Sequence, residues 1–318
     1  MRILITGGYG FVGGRVAQHL QQLGHQIFLG SRQARLPPNW LPQAEVLQTD
    51  WSNDRILEQA CDGVDVLIHA AGMNAHDCGA DPVAALEFNG LATSRLVDVA
   101  SRVGVQRFIY LSTAHVYANP LIGHISEDVC PRNMHPYASS HLAGENALLS
   151  AAQYGKIKGI VLRLSNVFGA PAHKDVNCWT LLVNELCRQA VTAGRLTLRS
   201  SGLQRRDFVG MQETCRAVSH VLGLSEEQVG DGIFNVGGAW APRVIDMTEL
   251  IQARCLAVLG STPEIMRAKS SGAEVTHELD FQIDRLLASG FDRSANINTA
   301  AEIDATLLFC REFFGNKR

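Results

Sequence analysis

Between an apolar run at Arg2–Thr6 and a helical pattern stands Gly7-Gly8-Tyr9-Gly10-Phe11-Val12-Gly13. In the pattern that follows, Val12, Val16, Leu20 and Leu23 recur at helical spacing, and Gly24 stands where a left-handed residue would end the helix. Without side chains at 7, 10 and 13 the turn can tighten, the backbone can approach a pyrophosphate, and the helix can lie close on a sheet. The free amides of Phe11 and Val12 and the positive end of the helix dipole then favour phosphate. Strand, glycine turn and helix in this order predict the opening unit of a dinucleotide-binding sheet.

The rest of the first half keeps the alternation. Gln26–Gly30, Glu45–Gln48, Asp65–His69, Arg107–Ser112 and Gly159–Leu164 are short and nearly all apolar, as strands buried on both faces of a parallel sheet are. Longer amphipathic stretches at Pro82–Val103 and Pro136–Tyr154 read as helices, and Gln33–Pro42 as a surface loop. After Gly169 the pattern changes. A helical stretch near Trp179 and a strand-like Leu196–Arg199 precede an apparent return to the sheet through Asp207–Val209, Met211–Leu224 and Gly232–Val236. The expected fold class is α/β, a Rossmann-type doubly wound parallel sheet with a smaller, discontinuous C-terminal substrate lobe. The NAD(P)-binding domain is expected over residues 1–168 with about 203–236, and the lobe over 169–202 and 237–318.

Length and composition agree with this and exclude other classes. At about 150 residues per domain, 318 residues suggest two units, and 46% hydrophobic against 19% charged residues gives a substantial core. A net charge of −3 offers neither a nucleic-acid footprint nor a polybasic membrane signal. No apolar run nears the roughly 20 residues that span a bilayer, and no signal peptide is visible, so a cytoplasmic protein is expected. Eight scattered cysteines lack zinc spacing, and His124, His135, His173, His220 and His277 form no ligand cluster, so no metal is expected.

The end of the second strand bears on cofactor choice. NAD-selective folds usually place an acid there for the adenine ribose. This chain has Ser31 and Arg32, with Arg35 close behind, a hydroxyl and guanidinium groups that would receive a 2′-phosphate. NADP is therefore favoured over NAD.

Further along, the chain resembles the extended short-chain dehydrogenases/reductases, specifically the NAD-dependent epimerase/dehydratase family that modifies nucleotide sugars. Thr6 to Gly13 looks like that family's phosphate loop. Asp50 and Trp51 stand where its adenine contacts lie, His69-Ala70-Ala71-Gly72 is similar to the loop beside the cofactor, and Asn89 falls in the matching place on the next helix. Leu111-Ser112-Thr113-Ala114-His115-Val116-Tyr117 resembles the segment that supports the reacting oxygen, with Ala118 in place of a glycine. Asn166, in Arg163–Gly169, and Arg206, in Arg206–Val209, match positions that meet the nucleotide diphosphate, and Phe234–Gly238 matches the closing strand. The likeness also makes Lys174, Asn177 and Trp179 candidate substrate contacts, with His115 beside them, and leaves Arg243 and Asp246 as further candidates. It implies a homodimer through the two long helices, whose Leu86, Leu91, Leu96, Leu142 and Leu148 would serve a partner or the chain's own sheet.

One element departs. The family's Tyr-x-x-x-Lys reads Tyr137-Ala138-Ser139-Ser140-His141 here. The spacing still puts both side chains on one helix face. In the family the tyrosine exchanges a proton with substrate and the lysine holds the nicotinamide ribose and lowers the phenol's pKa. A phenol near pKa 10 needs help of ~3 to act as a base at neutrality, and a cation at ~5 Å gives roughly 2 of it. A neutral imidazole gives almost none. The resemblance thus implies Thr113, Tyr137 and His141 as the catalytic set, better suited to ketone reduction than to alcohol oxidation. The leading expectation is an NAD(P)-dependent oxidoreductase or epimerase acting at C4 of a nucleotide sugar. A reductase of a non-sugar ketone and a catalytically silent NAD(P)-binding protein are the alternatives.

Overall fold

Seven parallel strands form the central sheet of the computed structural model, which describes residues 1–268, 276–293 and 298–315. They are β1 (Arg2–Thr6), β2 (Gln26–Ser31), β3 (Glu45–Gln48), β4 (Val66–His69), β5 (Arg107–Thr113), β6 (Lys158–Leu164) and β7 (Ile233–Val236). Their spatial order is β3-β2-β1-β4-β5-β6-β7. The chain winds outward from β1 one way and from β4 the other, so a crevice opens beyond the carboxyl ends of these two strands. The helices that shape it are α1 (Phe11–Gln22), α2 (Asp54–Cys61), α3 (Thr93–Arg102), α4 (Pro136–Gln153), α5 (Leu182–Ala193), α6 (Met211–Val221), α7 (Val244–Leu259) and α8 (Thr299–Phe314).

Strand alternation sends successive residues to opposite faces. Ile5, Ile68, Ile109 and Ile160 fall in register across four strands and bury against α1 and α6. Leu4, Leu67 and Phe108, one position earlier, bury on the other face against α2, α3 and α4. Each such side chain contributes about 1.5–3 kcal/mol relative to exposure. A third core gathers α5, α7 and α8 around the strand Arg195–Leu198, which pairs in parallel with Glu264–Arg267. Among the described residues no helix is long and apolar enough to cross a membrane.

Two details fix the walls of the crevice. Glu145 of α4 and Arg163 of β6 form a buried ion pair, with Arg163 Nη2 donating to Glu145 Oε2 at 2.7 Å. Ser112 Oγ also donates to Glu145, and Arg163 Nη1 reaches the Tyr117 hydroxyl at 2.9 Å. Losing one partner of such a pair leaves an uncompensated charge and costs about 3–5 kcal/mol, so α4 is held firmly on the sheet. The second detail departs from the expected single helix over Pro82–Val103. Between Pro82–Ala85 and α3 the chain widens into a π turn, Leu86–Ala92. That turn packs tightly on α4: a Cβ at Gly144 would lie 2.8 Å from the Asn89 carbonyl oxygen. Widened turns of this kind often accompany functional sites.

Candidate active site

The glycine loop is built so that nothing but backbone fits. Gly7 has φ +69°, and a Cβ there would stand 2.5 Å from the Ala71 nitrogen. A Cβ on Gly13 would stand 2.3 Å from the Gly7 carbonyl oxygen. Gly10 closes the turn by donating its N–H to that same oxygen at 2.8 Å. Behind the loop, His173 Nε2 contacts the Tyr9 carbonyl at 3.0 Å and its ring stacks on Trp40. Gly10, Phe11, Val12 and Gly13 thereby form one wall of a cleft of about 540 Å³, with Ala70, Gly72 and Leu111 across from them. This bare backbone at the start of a twelve-residue helix suits a dinucleotide pyrophosphate.

At the outer end of the loop, Ser31 Oγ donates to the Gln33 carbonyl at 2.7 Å and Arg32 projects outward without a partner among the described residues. The Arg35 guanidinium lies 4.6 Å over the Tyr9 ring, beside the glycine turn. Asp50 is occupied in its own turn, accepting from the Ser52 amide at 2.9 Å and hydroxyl at 2.7 Å, which hold its pKa low. Trp51 packs edge-on against His69 and Phe88. Ser31, Arg32, Asp50 and Trp51 lie outside the cleft proper.

At the inner end three of the expected residues meet. His135 caps α4 by accepting the Tyr137 amide, and Pro136 follows at the first helical position. Tyr137 and His141 then share the face toward the strand ends, their rings 4.7 Å apart and edge-on. Both line the cleft together with Thr113 from the end of β5. Burial raises the Tyr137 pKa, and the hydrogen bond from Thr113 counters only part of this. Among the described residues no cation acts on the phenol. Burial also pushes His141 down to about 4, so the imidazole is neutral at physiological pH.

Other expected residues are placed less directly. The His69 side chain lies under the cleft, not in it, bonded to Thr6 at 2.6 Å and Thr93 at 2.9 Å. Asn89 is buried in the π turn, where its Oδ1 accepts the Met73 amide at 2.8 Å and its Nδ2 donates to Ser140 at 3.0 Å. It shapes the cleft floor through these partners.

At the far end, His115, Asn166 and Arg206 all face the cleft. Asn166 Nδ2 donates to the Asp207 carbonyl at 2.8 Å, fixing the loop that carries Arg206. The Arg206 guanidinium has no hydrogen-bond or ion-pair partner among the described residues; burial, and after it the charge of Arg206, depress the His115 pKa. Trp179 is a correction. Its indole is packed in the third core against Phe309 and Phe314 and donates to the Lys174 carbonyl, so it does not line the cleft. Its neighbours Asn177, Thr180 and Leu181 do. Sequence reasoning also missed Tyr110 and Thr93, which sit behind His141 and reach it only through strand register and helix packing.

Comparison with known proteins places this geometry. Residues 3–237 match the model of the NAD dependent epimerase/dehydratase family. The uncharacterized UDP-glucose epimerase YtcB of Bacillus subtilis is 26% identical over 274 residues, covering 79% of this chain and 81% of the relative. The dTDP-6-deoxy-L-talose 4-dehydrogenase (NAD(P)(+)) of Kitasatospora kifunensis is 27% identical over 258 residues, covering 79% and 78%. The Bacillus cereus UDP-glucuronic acid 4-epimerase, solved in complex with NAD, superposes with a TM-score of 0.79 at 20% identity, covering 99% of this chain and 97% of that one.

Proposed function

The chain belongs to the NAD dependent epimerase/dehydratase family, and from that we propose that it is an NAD(P)-dependent oxidoreductase or epimerase acting at C4 of a nucleotide-linked sugar. The observation that carries this reading is the convergence of Thr113, Tyr137 and His141 on one cleft that runs from the glycine loop to an unpartnered Arg206. The relatives named for UDP- and dTDP-sugars support it. In this reading the amides of the glycine loop hold the cofactor pyrophosphate, Ala70, Ala71 and Leu111 flank it, and His141 donates to the ribose. When bound, the nicotinamide supplies or removes the hydride. Arg206 and Asn166 hold the nucleotide diphosphate and His115 lies beside the sugar.

Tyr137 gives its proton to the carbonyl oxygen, which Thr113 also hydrogen-bonds. The raised phenol pKa keeps that proton in place, ready to be donated. Withdrawing a proton from an alcohol requires the tyrosinate, and the site offers it no cation. Reduction is therefore the favoured half-reaction. At the outer end, Arg32 and Arg35, with no carboxylate at the end of β2, favour NADP over NAD. The molecule works as a homodimer through α4 and the π turn.

Calorimetric titration followed by absorbance assays tests the reading. We expect tighter binding of NADP than of NAD, binding of at least one of UDP, GDP or dTDP, and oxidation of reduced cofactor by a nucleotide-linked 4-ketohexose. Binding of cofactor but of no nucleotide diphosphate would point to a non-sugar ketone. Nucleotide binding with no absorbance change for any keto-sugar would leave a silent cofactor-binding protein.

A further inference from the structure

Thr6, His69 and Tyr110 fall in one register row across β1, β4 and β5, on the face covered by α3 and α4. All three side chains are buried and polar, which is expensive unless each hydrogen bond is made. They are joined end to end. Thr6 Oγ1 lies 2.6 Å from His69 Nδ1, and His69 Nε2 lies 2.9 Å from Thr93 Oγ1 on α3. The Tyr110 hydroxyl, whose pKa burial raises and a hydrogen bond from Thr93 lowers in part, lies 2.8 Å from His141 Nδ1. His141 Nε2, the free end, has no partner among the described residues and opens on the cleft beside Gly72.

Counting hydrogens settles the direction of this chain. Both imidazoles are neutral in their burial, so each carries one N–H, and each hydroxyl carries one O–H. Among the described residues Thr93 bonds His69 and Tyr110, and Thr6 bonds His69 alone. Every link needs one hydrogen, and a hydroxyl that accepted at both of its links would leave its own hydrogen buried without an acceptor, so the links point the same way. If they point away from the cleft, the last one, on Thr6, is left buried without an acceptor. If they point toward it, Thr6 donates to His69, His69 to Thr93, Thr93 to Tyr110 and Tyr110 to His141 Nδ1. Every hydrogen in the interior is then used, and the surplus one sits on His141 Nε2.

We propose that this row fixes His141 as the Nε2–H tautomer, so that a neutral imidazole presents one donor to the cofactor ribose in place of an ammonium. Tyr110, Thr93, His69 and Thr6 are positioning residues in this scheme, and only the ribose contact rests on the function proposed above. The tautomer itself is a property of the cofactor-free protein.

Long-range proton–nitrogen NMR of the histidine rings reads it directly. We expect His141 to carry hydrogen on Nε2 and a bare Nδ1 in the wild type, and a mixture of tautomers in Thr6→Val, four links away. Tyr110→Phe should mix the tautomers too and weaken NADPH binding about tenfold, one donor's worth, with an unchanged circular dichroism spectrum. Hydrogen on Nδ1 in the wild type, or an unaltered His141 signal in both variants, would overturn the proposal. A correct tautomer in a protein that ignores nucleotide sugars would instead count against the function alone.

Discussion

On the function proposed above, a single exchange, imidazole where an ammonium would stand, sets the chemical bias of this site. Tyr137 keeps its proton because burial outweighs the help of Thr113 and no cation among the described residues acts on it. Restoring the charge should reverse that bias. A cation at ~5 Å in an effective dielectric of ~20 lowers the phenol pKa by roughly 2. His141→Lys should therefore raise the rate of nucleotide-sugar alcohol oxidation at neutral pH by about one to two orders of magnitude, followed by cofactor absorbance, and change ketone reduction much less. An unchanged oxidation rate across neutral and alkaline pH would refute the account. The residues behind this prediction were legible through the family resemblance, since Thr113, Tyr137 and His141 each sit in a short contiguous motif that carries it. Tyr110 and Thr93 were not. They meet His141 only because β5 lies beside β4 and α3 crosses above, and neither fact is written in a local stretch. Trp179 misled for the opposite reason, because an aromatic residue between two motifs serves a core as well as a cleft.

Among the elements, the π turn and α4 present a face with little apparent use inside one chain. Val83, Leu86 and Leu91 are 68%, 55% and 57% exposed, beside Ala143 and Ala147 of α4. Leu96 and Leu148, from the same leucine set, are fully buried against the sheet, and Leu142 packs beside a small cluster that includes Val116, Tyr117 and Phe281. The set thus divides between an inner and an outer role, as the helical period requires and as a list of leucines cannot show. Exposed apolar patches of this kind mark interaction surfaces. If they seat the second copy, Leu86→Glu with Leu91→Glu should convert a dimer to a monomer in sedimentation velocity while leaving the far-ultraviolet spectrum intact. A monomeric wild type would dispose of the idea. Strand ends were legible to within about a residue because β-branched runs and glycines punctuate them, whereas the widened turn left no mark in the periodicity.

For the molecule as a whole, the buried imidazoles govern behaviour in mild acid. His69 and His141 have pKa values of about 3 and about 4 in the fold, against 6.5 when free. As pH falls below 6.5 the unfolded chain takes up protons that the folded chain refuses, so the stability these residues contribute is present above 6.5 and is lost on acidification. Asp207 opposes this, since burial lifts it from 3.8 to about 6 and its contribution grows as pH falls through that range. Burial also lowers His19, His25, His115 and His220 and raises Glu127, Glu213 and Glu302. Among the described residues the imidazoles that refuse protons thus outnumber the carboxyls that hold them, each group acting with a slope of at most about 1.4 kcal/mol per pH unit. The urea midpoint should therefore fall as pH is lowered from about 6.5 toward 5, and His141→Gln should flatten that fall. A midpoint that is constant or rising over the same interval would contradict it. Architecture at this level was plain in the order of strands, helices and glycines. The burial that makes two histidines refuse protons was not, because it depends on what covers them.

The ion pair between Glu145 and Arg163 has a mechanical side as well. It clamps the helix that carries the acid to the sheet that carries the cofactor loop, so the reacting end of the crevice behaves as a fixed bank. The opposite bank, around Asn177, Thr180 and Leu181, holds no such buried ion pair among the described residues. On the function proposed above, discrimination among guests belongs to that shore, where side chains can be exchanged without disturbing the proton's point of departure.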